Sequence, residues 1–162
     1  MTSSGPFDPD GITWTRVSTR LVHARLITAG LTLAVPLVVG VVLALTLSPW
    51  WWFLGGGAAV VLLESIVVIP RQVAAIGYAE RDDDLLIRRG ILFRTLVVVP
   101  YGRMQYVDVQ AGPLDHRLKI ATLQLHTAST STDATIPGLP PHEADRLRDQ
   151  LAARGESRLA GL

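Results

Sequence analysis

Residues 27–47 read ITAGLTLAVPLVVGVVLALTL, 21 positions without a charge. A helix rises about 1.5 Å per residue and needs about 20 residues to cross the hydrocarbon core of a bilayer, so this run is long enough for one span. Pro36 sits in its middle, a position that membrane helices tolerate and where a kink is expected. Ser48-Pro49 then ends the helix, and Trp50, Trp51 and Trp52 suit the water–lipid boundary. A second apolar run covers residues 51–69 and stops before Pro70-Arg71. The connection is so short that the two helices are expected to be antiparallel neighbours. Gly55, Gly56, Gly57, Ala58 and Ala59 give the second one a small-residue face suited to close approach.

Charge divides the chain into parts. Between Arg25 and Arg71 the one ionisable residue is Glu64, whereas residues 71–162 are rich in charge. The reading is a cytoplasmic arm over residues 1–25, a membrane hairpin over 26–70, a water-facing domain over 71–154 and a tail over 155–162. Arg16, Arg20 and Arg25 precede the first span, Arg71 follows the second, and the turn between carries no charge. The positive-inside rule then places both termini in the cytoplasm. A cleaved signal peptide is the rival reading, but its apolar core is shorter and a small-residue cleavage site follows it; here proline and tryptophans follow. Glu64 has two readings. It either reaches toward Arg71 or Arg25 at the cytoplasmic end, or it marks an ion path or a helix partner.

Beyond residue 72 the pattern changes to short strand-like runs, expected at residues 73–80, 85–89, 95–99, 104–109, 121–127 and 135–136. Arg81-Asp82-Asp83-Asp84 reads as the first turn and Gly90 as the opening of a second. Pro140-Pro141 precedes a helix expected over residues 142–153, with Ala144, Leu147 and Leu151 forming one apolar stripe. Antiparallel strands capped by that helix are the expected architecture, an α+β domain behind a membrane α-hairpin.

The run from Arg88 to Leu139 resembles the YdbS-like bacterial pleckstrin-homology (PH) membrane proteins. The residues that carry the resemblance are Arg89-Gly90, Val97-Val98-Val99-Pro100, Arg103-Met104-Gln105-Tyr106-Val107, Gly112-Pro113-Leu114-Asp115-His116-Arg117 and the strand ATLQLHTA from Ala121. Two preceding spans are also typical of that family. Lys119 is a departure, standing where members commonly carry glycine. The resemblance implies a PH-like split β-barrel of antiparallel strands capped by a C-terminal helix, and it implies no catalytic activity.

The residues themselves offer no catalytic constellation. The chain has no cysteine, and no two of His23, His116, His126 and His142 share helical i, i+3 or i, i+4 spacing. Asp82-Asp83-Asp84 lacks the alternation, glycine and later glutamate of a calcium loop. No phosphate loop, nucleophile elbow or dinucleotide fingerprint occurs, so no cofactor and no metal are expected. A net charge of +1 does not suggest a nucleic-acid binder.

Arg88, Arg89, Arg94, Arg103, Arg117 and Lys119 place six cations in 32 residues that hold only Asp108 and Asp115 as acids. They either meet anionic lipid on the inner leaflet or solubilise the domain and pair locally. Gln105 and Tyr106 lie in the most family-like phrase and serve either packing or recognition. The expected function is a membrane-tethered, non-catalytic interaction module, with membrane lipids and a protein partner or second copy as its partners. The alternatives are a small transporter or channel subunit using Glu64 and an accessory component of an envelope enzyme complex.

Overall fold

A computed structural model of the chain describes residues 12–127 and 133–160. The chain divides into two compact units, residues 22–71 and residues 1–21 together with 72–162. Residues 1–11 of the expected arm, and 161–162 of the expected tail, lie outside the described part.

The first unit is the hairpin. Helix α1 runs from Arg20 to Thr46, a short 3-10 turn covers Pro49–Trp51, and helix α2 runs from Trp52 to Ala74. Both are long and apolar enough to cross a membrane, and almost none of either apolar stretch is buried. Leu31, Val35, Val42, Leu45, Val60 and Leu63 are all exposed. A soluble core helix would hide such residues; a bilayer is the solvent that suits them.

The hydroxyls of these helices are satisfied within their own turns, as a medium without water demands. Thr28, Thr32, Thr46 and Ser65 each donate to the carbonyl four residues earlier, at 2.7 to 3.0 Å. The helices meet through glycine. A Cβ on Gly40 would collide with the backbone nitrogen of Gly55 and lie 2.8 Å from its Cα. Gly55 and Ala58 are buried as the small-residue run predicts, while Gly56 and Gly57 face open space.

Among the described residues the second unit carries seven strands: β1 Thr15–Arg16, β2 Gly77–Glu80, β3 Asp84–Arg89, β4 Thr95–Pro100, β5 Met104–Gln110, β6 Ala121–Thr127 and β7 Ala134–Leu139. All neighbours are antiparallel. They form a four-stranded sheet in the order β1-β2-β3-β4 and a three-stranded sheet in the order β5-β6-β7, so the split barrel is two sheets rather than a closed ring. Helix α3, Pro113–Leu118, joins β5 to β6, and helix α4, Pro141–Ala160, follows β7. Ala144, Leu147 and Leu151 of α4 are completely buried, as are Leu85, Leu123 and Ile136 of the sheets. The apolar stripe therefore caps the core.

Several boundaries differ from expectation for identifiable reasons. Pro70 does not stop α2, which continues to Ala74 and ends in two tight bonds, Ala75 N to Gln72 O at 3.2 Å and Ile76 N to Val73 O at 3.1 Å. One missing N–H in a membrane helix is tolerable, so residues 73–74, expected in a strand, are helical. Thr15–Arg16, within the expected N-terminal arm where no strand was expected, pair with Tyr78 and Gly77 as the outer strand β1. The expected tail is helical to Ala160, because Arg154 is a packing residue. Its Nη1 donates to the Tyr101 hydroxyl at 2.8 Å and to the Arg81 carbonyl at 3.0 Å.

Lys119 ends α3 with φ 54, in the left-handed region that glycine enters without a steric cost. That accounts for the glycine common at this place.

Candidate functional site

Of the six cations, β3 and β4 bring three together. Arg88 and Arg89 end β3, Arg94 immediately precedes β4, and the ladder pairs Arg88 with Leu96 and Arg89 with Thr95. Arg16 joins them, since β1 pairs Arg16 with Gly77 and β2 pairs Gly77 with Arg88. Gly77 leaves room between them: the Arg88 Nε would lie 3.3 Å from a Cβ placed there. The Arg88 guanidinium stacks over the Trp14 ring at 4.3 Å, which draws it back across the sheet. Arg16, Arg89 and Arg94 are exposed.

The remaining cations lie elsewhere. Arg103 follows Pro100, which pairs with Asp84 at the opposite end of the four-stranded sheet. Arg117 and Lys119 flank the end of α3, beyond the Gln110–Thr122 end of β5 and β6. All three are exposed, but they do not converge with the first group.

The four-stranded sheet is consequently polarised by charge. Among the described residues, its β3–β4 turn end holds Arg16, Arg88, Arg89 and Arg94 and no acid, while the other end holds Glu80, Asp82, Asp83 and Asp84. Part of that acidic end is neutralised. Arg81 Nε lies 3.5 Å from Asp84 Oδ1, and Arg146 Nη2 lies 2.7 Å from Glu80 Oε1.

Arg146 belongs to a network that fixes α4 to β2. It also donates to Glu143 Oε1 at 2.7 Å, and the Tyr78 hydroxyl donates to the same oxygen at 2.7 Å. The Arg146 hydrogen bond, with help from Tyr78, holds the Glu143 carboxyl down to about 2. Burial, then the bond to Glu143, pushes the Tyr78 hydroxyl well above its ordinary value. These groups are structural clamps, since each already has its partner.

Gln105 and Tyr106 lie on β5 at a bulge. The ladder steps from Met104–Thr127 to Tyr106–His126, which leaves Gln105 as the extra residue. Tyr106 is exposed and stacks on His126, with ring centroids 4.3 Å apart, and His126 Nδ1 lies 3.4 Å from Asp133 Oδ2. Beside the bulge, a groove of about 320 Å³ runs between β5 and α4, lined by Met104, Gln105, Tyr106, Arg148, Leu151 and Ala152.

Glu64 is exposed on α2, and among the described residues its side chain pairs with neither Arg71 nor Arg25.

The sequence reading missed the residues between the arginines. Ile91, Leu92 and Phe93 form the β3–β4 turn with exposures of 40%, 91% and 89%. Three consecutive apolar side chains in a turn were the available signal, because turns are ordinarily polar.

A model of the bacterial PH domain family matches residues 24–155, and the chain belongs to that family. With its two apolar helices it is a transmembrane protein carrying a bacterial PH domain. It is 40% identical over 75 residues to the UPF0699 transmembrane protein YdbS of Bacillus subtilis (strain 168), an alignment covering 46% of this chain and 46% of that protein. The chain thus spans about half the length of the curated relative it matches. No solved structure matches it.

Proposed function

We propose that the protein is a membrane-tethered, non-catalytic interaction module of the bacterial cell membrane, with both termini cytoplasmic and its PH domain meeting the anionic inner leaflet. The observation that carries the reading is the charge-polarised sheet, whose turn end gathers Arg16, Arg88, Arg89 and Arg94 without an acid among the described residues. Each cation near an anionic leaflet contributes about 1 kcal/mol, so the exposed Arg16, Arg89 and Arg94 together bias the orientation of a domain that is already tethered. The arginines preceding α1 and following α2 support the cytoplasmic placement.

The test uses the full chain in vesicles. A donor dye on Ala153→Cys and an acceptor in the lipid report how closely the domain approaches the bilayer. Energy transfer is expected to be greater in phosphatidylglycerol-containing vesicles than in phosphatidylcholine. It should fall as salt rises, because exposed charges are screened over about 8 Å at physiological ionic strength. Arg89→Gln with Arg94→Gln should remove the difference. Equal transfer in both lipids at low salt would defeat the reading.

A second reading is favoured by the groove beside Gln105 and Tyr106, which suits a protein partner or a second copy. It expects Tyr106→Ala to lose a co-purifying protein while leaving the lipid dependence intact.

A further inference from the structure

We propose that Ile91, Leu92 and Phe93 form a wedge that enters the headgroup–acyl boundary of an anionic membrane, with Arg89 and Arg94 holding lipid phosphates at its rim. The inference rests on the lipid-facing reading above and adds to it an apolar component that charge alone does not supply.

Exposure is the first argument. Leu92 and Phe93 are 91% and 89% exposed and follow Ile91 in the turn that closes the β3–β4 ladder, one residue pair beyond the edge of β2. Nothing in the fold of this unit requires Leu92 and Phe93 to be apolar, since neither is part of its core, while Ile91 is partly covered and anchors them. Contiguous exposed apolar residues rimmed by polar ones mark interaction surfaces.

Shape is the second. Gly90 has φ 98, and a Cβ there would collide with the carbonyl oxygen of Phe93. The turn therefore closes tightly on itself and presents its three side chains as a preformed tip. A preformed tip loses less conformational freedom on contact than a loose loop would.

Charge selects the occupant. Arginine flanks the tip on both sides, Arg89 before it and Arg94 after it, both exposed. No acid lies among residues 87–96. An apolar protein groove would have to supply acids on both rims, whereas an anionic bilayer supplies phosphates around an apolar interior at every position. Arginine stems can lie along the acyl boundary while their guanidinium groups remain at the headgroups. Leucine and phenylalanine suit insertion of roughly 5–10 Å.

Tethering completes the argument. Three side chains are too few to hold a free domain on a membrane. Here β2 begins at Gly77, three residues after α2 ends at Ala74, so the membrane is always at hand and a weak wedge suffices to select an orientation.

The chain has no native cysteine, so a probe can be placed at one site. The full chain with Leu92→Cys, carrying an environment-sensitive fluorophore, is reconstituted in vesicles of phosphatidylglycerol and phosphatidylethanolamine. The expected result is blue-shifted emission, quenching by nitroxide-labelled lipid and loss of access to aqueous iodide. The same probe on Ala153→Cys stays open to iodide. Adding Phe93→Ser to the Leu92→Cys chain should restore iodide access without changing its thermal unfolding.

A probe at position 92 as open to iodide as one at 153 would overturn the wedge. If the lipid-dependent energy transfer persisted alongside that result, the charge reading would survive alone; if it vanished too, both would fall. Shielding from iodide without quenching by labelled lipid would mean that protein covers the tip, and that also overturns the wedge.

Discussion

The hairpin and the PH unit both expose leucine, and the same observation means opposite things in the two. On α1 and α2 exposed apolar residues run the length of the helix, and every hydroxyl turns back to its own backbone. That is how a segment is built when lipid is its solvent. The PH unit instead buries its apolar side chains between sheets and α4, and satisfies polar groups across elements, as in Tyr78–Glu143–Arg146–Glu80. Against that background Leu92 and Phe93 are exceptions, and an exception in a water-facing unit carries functional information that an exposed leucine on α1 does not.

The comparison breaks most visibly in the core of the PH unit. Leu147→Asp places a charge at a completely buried position and should cost about 4 kcal/mol or more. Circular dichroism and proteolysis of the full chain should show the domain lost while the hairpin remains inserted. If domain and hairpin failed together, the two units would not be independent.

Gly40→Leu attacks the other unit. Its side chain cannot share the space of the Gly55 backbone, and overpacking of that kind costs about 1–3 kcal/mol. Unfolding of the hairpin in detergent should come earlier, with the melting of the PH unit unchanged.

The Glu143 clamp sharpens the contrast through pH. Its folded pKa of about 2 lies below the ordinary 4.5, so its contribution is complete above pH 4.5 and is lost as the pH falls toward 2. Glu143→Ala leaves the Tyr78 hydroxyl without its acceptor and should cost about 2 kcal/mol. Thermal melts of the PH unit from pH 6 to pH 3 should decline less in this variant than in the parent chain.

Lys119→Gly should give the smallest effect, and in the opposite direction. Relief of the left-handed strain, worth about 1–2 kcal/mol, outweighs the added freedom of glycine in the unfolded chain, leaving a gain of about 0.5–1 kcal/mol. A modest rise in the melting temperature of the PH unit would confirm it; a fall would show that the lysine side chain contributes packing not visible in its exposure.

Much of this architecture was legible from pattern. A charge-free run announced the first helix and an apolar run broken only by Glu64 the second, alternation placed β6 at its observed limits, and the stripe of Ala144, Leu147 and Leu151 identified the cap. What stayed hidden depended on long-range partners. Thr15 and Arg16 lie in a short β-branched and aromatic run, ITWTRV, whose pairing partner is distant in sequence; they are extended where Tyr78 and Gly77 offer them an edge. Arg154 resembles a tail residue until Tyr101 and Arg81 are seen to receive it.

For the site, the spacing of the six cations along the chain gave no hint that only some of them converge, because strand pairing decides which ends meet. Arg88 in particular is drawn back by Trp14, 74 residues away in the chain. The turn opened by Gly90 was readable, but sequence alone does not show that its apolar residues stay outside the core, as Leu92 and Phe93 do.

The proposed topology, a membrane hairpin with a cytoplasmic PH domain, is tested most directly by labelling from outside the cell. Ser48→Cys and Ala153→Cys are treated separately, in intact cells, with a maleimide that cannot cross the membrane. The account predicts that position 48 is labelled in intact cells and that position 153 is labelled only after the membrane is permeabilised. Labelling of position 153 in intact cells, with position 48 protected, would contradict it.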